Sequence, residues 1–229
     1  MSFNEGSIWQ TRGLYRTPGN ALISGSTGTG KTVLLAKIIS NMHQIFDTEI
    51  DHVLFCYKMK QPQYEPILNN PKITFFNGLP TEKTLRDMNQ THPGQKLCIF
   101  DDLTIELLPK DNIDFVEQLF TVFTHHLKFS VIMLVQIFFT KHLRHISLNV
   151  HYIILTKCAR DSSQILTLAR QVFPGKTKAF LEVYDDAMKS SSILGNRPYI
   201  VIDCHPESTN MRIFTNIFKQ EYPMIGYVI

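Results

Sequence analysis

Gly25-Ser26-Thr27-Gly28-Thr29-Gly30-Lys31-Thr32 is a complete G-x-x-x-x-G-K-[ST] phosphate-binding loop. An apolar run, Ala21-Leu22-Ile23, precedes it, and Val33-Leu34-Leu35-Ala36-Lys37-Ile38-Ile39 follows with good helical composition. That is the strand–loop–helix setting the motif needs. The glycines allow backbone torsions that a Cβ would block, so successive N–H groups of Ser26, Thr27 and Thr29 can point inward at phosphate oxygens. A helix starting near Lys31 adds the positive end of its dipole. Lys31 is expected to reach the β- and γ-phosphates and the Thr32 hydroxyl to ligate Mg²⁺.

Outward from the loop, apolar runs alternate with amphipathic or polar segments, the βαβα pattern of a mostly parallel sheet flanked by helices. Strands are expected at 21–24, 52–57, 73–76, 97–100, 131–135, 152–155 and 199–202, and helices at 31–44, 112–126 and 161–172. Asp161-Ser162-Ser163 offers N-cap residues for the last helix. Residues 199–202, a turn carrying Pro206 and Asn210, and residues 211–218 form an expected C-terminal β-hairpin. The whole chain, 1–229, reads as one α/β phosphate-loop domain, with an N-terminal extension over 1–17 and a hairpin and tail over 195–229.

Two strands end on chemistry. Lys96-Leu97-Cys98-Ile99-Phe100-Asp101-Asp102 is an apolar run closing on two acids. Asp101 is placed to hold Mg²⁺ through water beside Thr32, and Asp102 to orient and deprotonate an attacking water. Asp102 can equally cap the following turn, and Glu106 is the alternative base. Val131-Ile132-Met133-Leu134-Val135 ends on Gln136. If that strand lies between the loop strand and the Asp101 strand, Gln136 faces the γ-phosphate and can distinguish triphosphate from diphosphate.

Composition restricts the setting. The 229 residues are 44% hydrophobic, with a net charge of +3. No apolar run approaches the 18 residues of a membrane span, and the N-terminus lacks the pattern of a secretion signal. The four cysteines form no C-x-x-C pair, so a reduced, intracellular setting is expected. Residues 118–160 contain no Asp or Glu, yet hold Lys128, Lys141, Arg144, Lys157, Arg160 and five of the nine histidines. Such a stretch suits a polyanion; two buried strands within it would also keep acids out.

In Gly25–Thr32, 97–103, and His125-His126 leading into Ser130–Gln136, the chain resembles the FtsK/HerA superfamily of phosphate-loop ATPases. Within it, the chain is similar to the genome-packaging ATPases of poxvirus-like and Polinton-like double-stranded DNA viruses. Ile146-Ser147-Leu148-Asn149, Lys157-Cys158-Ala159-Arg160-Asp161, Gln171-Val172-Phe173-Pro174, Tyr199-Ile200-Val201-Ile202-Asp203 and Arg212-Ile213-Phe214 match in order, so the likeness covers about 18–218. It implies a RecA/FtsK-like fold of the additional-strand (ASCE) type, ATP and Mg²⁺ as ligands, and a ring of five or six copies. It also implies double-stranded DNA and capsid or portal-vertex proteins as partners, a place at a viral assembly site in host cytoplasm or nucleus or in the virion, and an arginine supplied by a neighbouring subunit. Arg160 is the favoured arginine and Arg144 the alternative. The sequence departs from many members at Asp102, where they carry Glu, and at Ile137, where they carry a small polar residue.

Two other functions compete with a DNA-translocating motor: a nucleoside or small-metabolite kinase, and an ATP-binding morphogenesis factor with little turnover. A kinase lid would bring a cluster of arginines, which the sequence lacks. A GTPase is disfavoured because Thr156-Lys157-Cys158 is followed by Ala159 rather than the guanine-reading Asp, and because Thr104 stands where D-x-x-G needs Gly.

Overall fold

The computed structural model describes residues 14–140, 143–158, 162–193, 197–208, 211–218 and 223–229. In chain order the elements are β1 (Asn20–Ser24), α1 (Lys31–Ser40), α2 (Met42–Ile45), β2 (Ile50–Tyr57), β3 (Ile73–Asn77), α3 (Glu82–Thr91) and β4 (Gln95–Asp101). There follow α4 (Lys110–Gln118), α5 (Thr124–His126), β5 (Phe129–Val135), α6 (Arg144–Leu148), β6 (Tyr152–Thr156), α7 (Ser162–Val172), α8 (Thr177–Ile193), β7 (Tyr199–Asp203), β8 (Met211–Thr215) and β9 (Ile225–Val228).

One nine-stranded sheet carries the order β3-β2-β4-β5-β1-β6-β7-β8-β9. The first six strands of that order pair in parallel, and β7, β8 and β9 continue the sheet antiparallel. The expected C-terminal hairpin is therefore present as β7–β8, and β9 extends it by one strand.

The pleat divides each central strand between two cores. Leu22, Cys98, Phe100, Val131, Met133 and Leu155 face a layer built by α3, α4, α6, α7 and α8. Ala21, Ile23, Leu97, Ile99, Ile132 and Leu134 face the opposite layer, built by α1, α2 and a short 3₁₀ turn, Pro62–Ile67. Strands covered on both faces need continuous apolar sequence, which is why β4 and β5 read as unbroken runs. Each fully buried Leu, Ile, Val or Phe contributes about 1.5–3 kcal/mol of transfer free energy. The segment before β1 joins this core, with Tyr15 buried and stacked on Tyr152 at 4.2 Å between ring centroids.

Two expected helices differ from their sequence pattern for side-chain reasons. The helix from Lys31 stops at Ser40 because Asn41 leaves helical torsions (φ −118°, ψ 26°), and its amide caps Lys37 O at 2.8 Å. The chain then makes the separate turn α2. The helix expected at 112–126 begins at Lys110 and widens into a π-helical turn at Leu119–Phe123. There Asn20 Nδ2 takes the Phe120 carbonyl at 2.7 Å, and Thr124 Oγ1 takes that of Leu119 at 2.8 Å, so both carbonyls bond side chains. Helices α3, α6 and α8 and strand β9 have no counterpart in the sequence reading.

Candidate active site

β4, β5 and β1 lie side by side and parallel, so Asp101, Gln136 and the loop that begins at Gly25 emerge at the same end of three adjacent strands. Crevices at the carboxyl ends of parallel strands are where α/β folds bind ligands. Gln136 directly follows the intervening strand, β5, and the order β4-β5-β1 meets the condition set by the sequence for facing the terminal phosphate. Here a cavity of about 340 Å³ is lined by Thr27, Gly28, Gly30, Lys31, Thr32, Asp101, Asp102 and Gln136, with Gln61, Gln63, Thr104 and Arg197.

The loop is shaped to take an anion. Gly28 and Gly30 have φ 81° and 96°, left-handed torsions that glycine adopts without strain. Gly30 is the N-cap of α1, with no side-chain cap and no acid in the first turn, so the first N–H groups of the helix are left for a ligand. Lys31 Nζ donates to the carbonyls of Gly25 at 2.6 Å and Ser26 at 3.0 Å, which holds the ammonium over the loop. Burial pulls the Lys31 pKa below its ordinary value, while Asp101 and Asp102 pull it up. The Thr29 and Thr156 hydroxyls share a 2.7 Å hydrogen bond that ties the loop to the end of β6.

Opposite the loop, Thr32 Oγ1 donates to Asp101 Oδ2 at 3.3 Å, and Tyr64 Oη donates to the same oxygen at 2.9 Å. Asp101 is buried, and burial raises its carboxyl pKa although both hydroxyls and Lys31 oppose the rise. A buried carboxylate with one oxygen held by two hydroxyls, next to a threonine at the start of a phosphate-binding helix, is a donor set suited to hydrated Mg²⁺. Asp102 stands exposed on the cavity wall in a left-handed conformation, φ 58°, which is uncommon for a residue with a side chain. Glu106, the alternative base, is paired instead with Lys58 at 2.5 Å.

Gly25–Thr32, Asp101, Asp102 and Gln136 thus converge on one crevice. Arg160 falls outside the described residues. Arg144 is exposed on α6 and is not among the residues lining the cavity. Among the described residues, the acid-free stretch forms no single basic face. Lys128 precedes the start of β5 and Lys157 follows the end of β6, and since both strands run parallel to β1, the two cations sit at opposite ends of the sheet. Tyr64, Gln61, Gln63 and Arg197 are site residues that the sequence reading does not contain. A proline-bracketed turn (Pro62-Gln63-Tyr64-Glu65-Pro66) carries no motif, and nothing local announces a bond from Tyr64 to Asp101.

No protein-family model and no curated protein sequence matches the chain. Among solved structures it is similar to B204, the DNA-packaging ATPase from Sulfolobus turreted icosahedral virus. The TM-score is 0.52 and the identity 10%, over 82% of this chain and 93% of that one. It is also similar to the cytoplasmic domain of the type VII secretion ATPase EccC from Thermomonospora curvata, with a TM-score of 0.51 and 12% identity over 92% of this chain. A third likeness is to EssC (ATPases 2 and 3) from Geobacillus thermodenitrificans, with a TM-score of 0.49 and 16% identity over 66% of this chain. The chain spans only 25% of the EccC structure and 34% of the EssC structure, but nearly the whole of B204. Sheet, helical layers and phosphate cradle together make a phosphate-loop NTPase fold. That is the fold implied by the resemblance to the FtsK/HerA superfamily.

Proposed function

We propose that the chain is an ATP-hydrolysing motor that translocates double-stranded DNA, and that it packages a viral genome. The observation that carries the reading is the hydrogen bond from Thr32 to Asp101 at a cavity also lined by Gln136, which directly follows β5, the strand between β1 and β4. Lys31 and the loop N–H groups hold the β- and γ-phosphates. Thr32 and Asp101 hold Mg²⁺, which when bound neutralises charge on the transferring phosphoryl group. Asp102 accepts a proton from the attacking water, whose oxygen bonds the γ-phosphorus as the bond to the ADP oxygen breaks. Gln136 orients that water or contacts the γ-phosphate. Arg160 of a neighbouring copy, with Arg144 as the alternative, stabilises the transition state.

The packaging role is supported by the near-complete mutual coverage with a structure described as a DNA-packaging ATPase. A ring is supported by apolar side chains just past Asp102, Ile105 and Leu108, which are 76% and 57% exposed. Apolar surface beside an active site suits cover by a neighbouring subunit. Capsid or portal-vertex proteins are the remaining partners in this reading. Among the described residues no helix is long and apolar enough to cross a membrane. The test is ATP turnover with and without linear duplex DNA, beside the mass of the assembly in solution. DNA-stimulated turnover by an oligomer is expected. Turnover by a monomer that transfers phosphate to a small molecule would replace the motor by a kinase.

A further inference from the structure

Arg197 lies on the phosphate loop from the side opposite the acids. β7 runs antiparallel to β6 with Tyr199 opposite Thr156, so the residues entering β7 are delivered to the β6 end of the loop. Arg197 Nη1 donates to Gly28 O at 3.3 Å, and among the described residues this neutral carbonyl is the guanidinium's one hydrogen-bond partner. The Arg197 Cδ fills the space that a Cβ on Gly30 would need. The φ of 96° requires a glycine at position 30, and the arginine stem packs on it. Asp101, Asp102 and Gln136 lie on the other side of β1, after β4 and β5.

This asymmetry assigns the two ends of a bound nucleotide. Thr32, Asp101, Asp102 and Gln136 gather the metal, base and amide needed at the terminal phosphate, so the γ end lies on the β4–β5 side. A triphosphate cradled by the loop then leads its nucleoside end toward β6 and β7. We propose that Arg197, acting within its own subunit, is a nucleotide-binding residue at that end, exchanging the Gly28 carbonyl for the α-phosphate. The proposal rests on the reading that this cavity binds ATP. An arginine bond to phosphate pairs opposite charges and can be bidentate, which the single bond to the Gly28 carbonyl is not, and this favours the exchange.

The placement makes a prediction that a γ-phosphate sensor would not. A residue at the α-phosphate contributes equally to ATP and ADP, whereas a sensor contributes to ATP alone. Arg197→Gln keeps most of the aliphatic stem over Gly30 and removes the charge. Fluorescent ATP and ADP would be titrated against wild type, Arg197→Gln and Arg197→Lys, with thermal midpoints measured on all three. The expected result is an affinity loss of about tenfold for ATP and ADP alike in Arg197→Gln and a smaller loss in Arg197→Lys. A loss confined to ATP would place Arg197 at the γ-phosphate and overturn the proposal. Unchanged binding of both nucleotides would reduce Arg197 to packing on Gly30 and overturn it too. Wild-type protein that binds neither nucleotide would defeat the ATP reading itself, an outcome separable from the other two.

Discussion

On the β4–β5 flank of the phosphate loop, the polar groups are two carboxylates and an amide at the tips of strands buried on both faces. On the β6–β7 flank they are hydroxyls and a guanidinium, the guanidinium exposed and leaning on backbone. Asp101 is held by the core itself, through Tyr64 and Thr32. Arg197 is held by one hydrogen bond and its packing on Gly30. The difference teaches a division of labour. Groups that must meet a metal and a water at fixed distances sit at the end of rigid strands buried in the core or directly after them. A group that has only to greet an entering phosphate can sit on an exposed segment.

The largest effect belongs to the residue between the flanks. Lys31→Ala removes the cation of the cradle and should abolish nucleotide binding or turnover, with circular dichroism and thermal midpoint close to wild type. Turnover near the wild-type rate would break the comparison at its root. Next comes Arg160, four residues beyond the end of β6. If it acts in trans, Arg160→Ala should lower kcat by about 10³- to 10⁵-fold with little change in ATP affinity. Mixing Arg160→Ala with Lys31→Ala should then restore part of the activity, because one interface pairs an intact loop with an intact arginine. No recovery from an assembled mixture would remove the trans-acting role.

Asp102→Asn should retain ATP and lose about 10²- to 10⁴-fold in turnover, readable in a single-turnover experiment. Full activity would move the base elsewhere. The smallest effect concerns Tyr64. Metal binding needs Asp101 ionised, and burial has raised its pKa, so activity should fall on acidification at a higher pH than an ordinary carboxylate would give. The Tyr64 hydroxyl opposes that rise. Tyr64→Phe should therefore shift the acid limb of the pH–rate profile upward and increase the Mg²⁺ needed for half-maximal turnover by less than about tenfold. An unmoved acid limb would separate Tyr64 from Asp101.

The legible part of this molecule is the part whose function forces a local pattern. The loop is one contiguous motif, and Asp101 and Gln136 each end an apolar run long enough to identify a doubly buried strand. The order β4-β5-β1, on which the role of Gln136 depends, arises from contacts between distant segments and enters the sequence reading only as a condition. Helix α3 is obscure because it turns a single fully buried residue, Leu85, toward the core. In α8, Phe180, Tyr184, Ala187 and Met188 do recur at helical spacing and are buried, so a periodicity count over 177–193 would have found it. β9 has mostly exposed residues and a glycine, Gly226, which leaves no alternation to read. Tyr64 and Arg197 reach their places through tertiary contacts spanning 37 and 169 residues, which no local pattern encodes.

If hydrolysis at this crevice moves duplex DNA, the motor should displace the third strand from a triplex-capped duplex. Wild-type protein with ATP and Mg²⁺ should release the third strand, while Lys31→Ala, or wild type with a non-hydrolysable ATP analogue, should not. Wild-type protein that hydrolyses ATP at the same rate with and without the duplex, and leaves the triplex intact, would contradict the account.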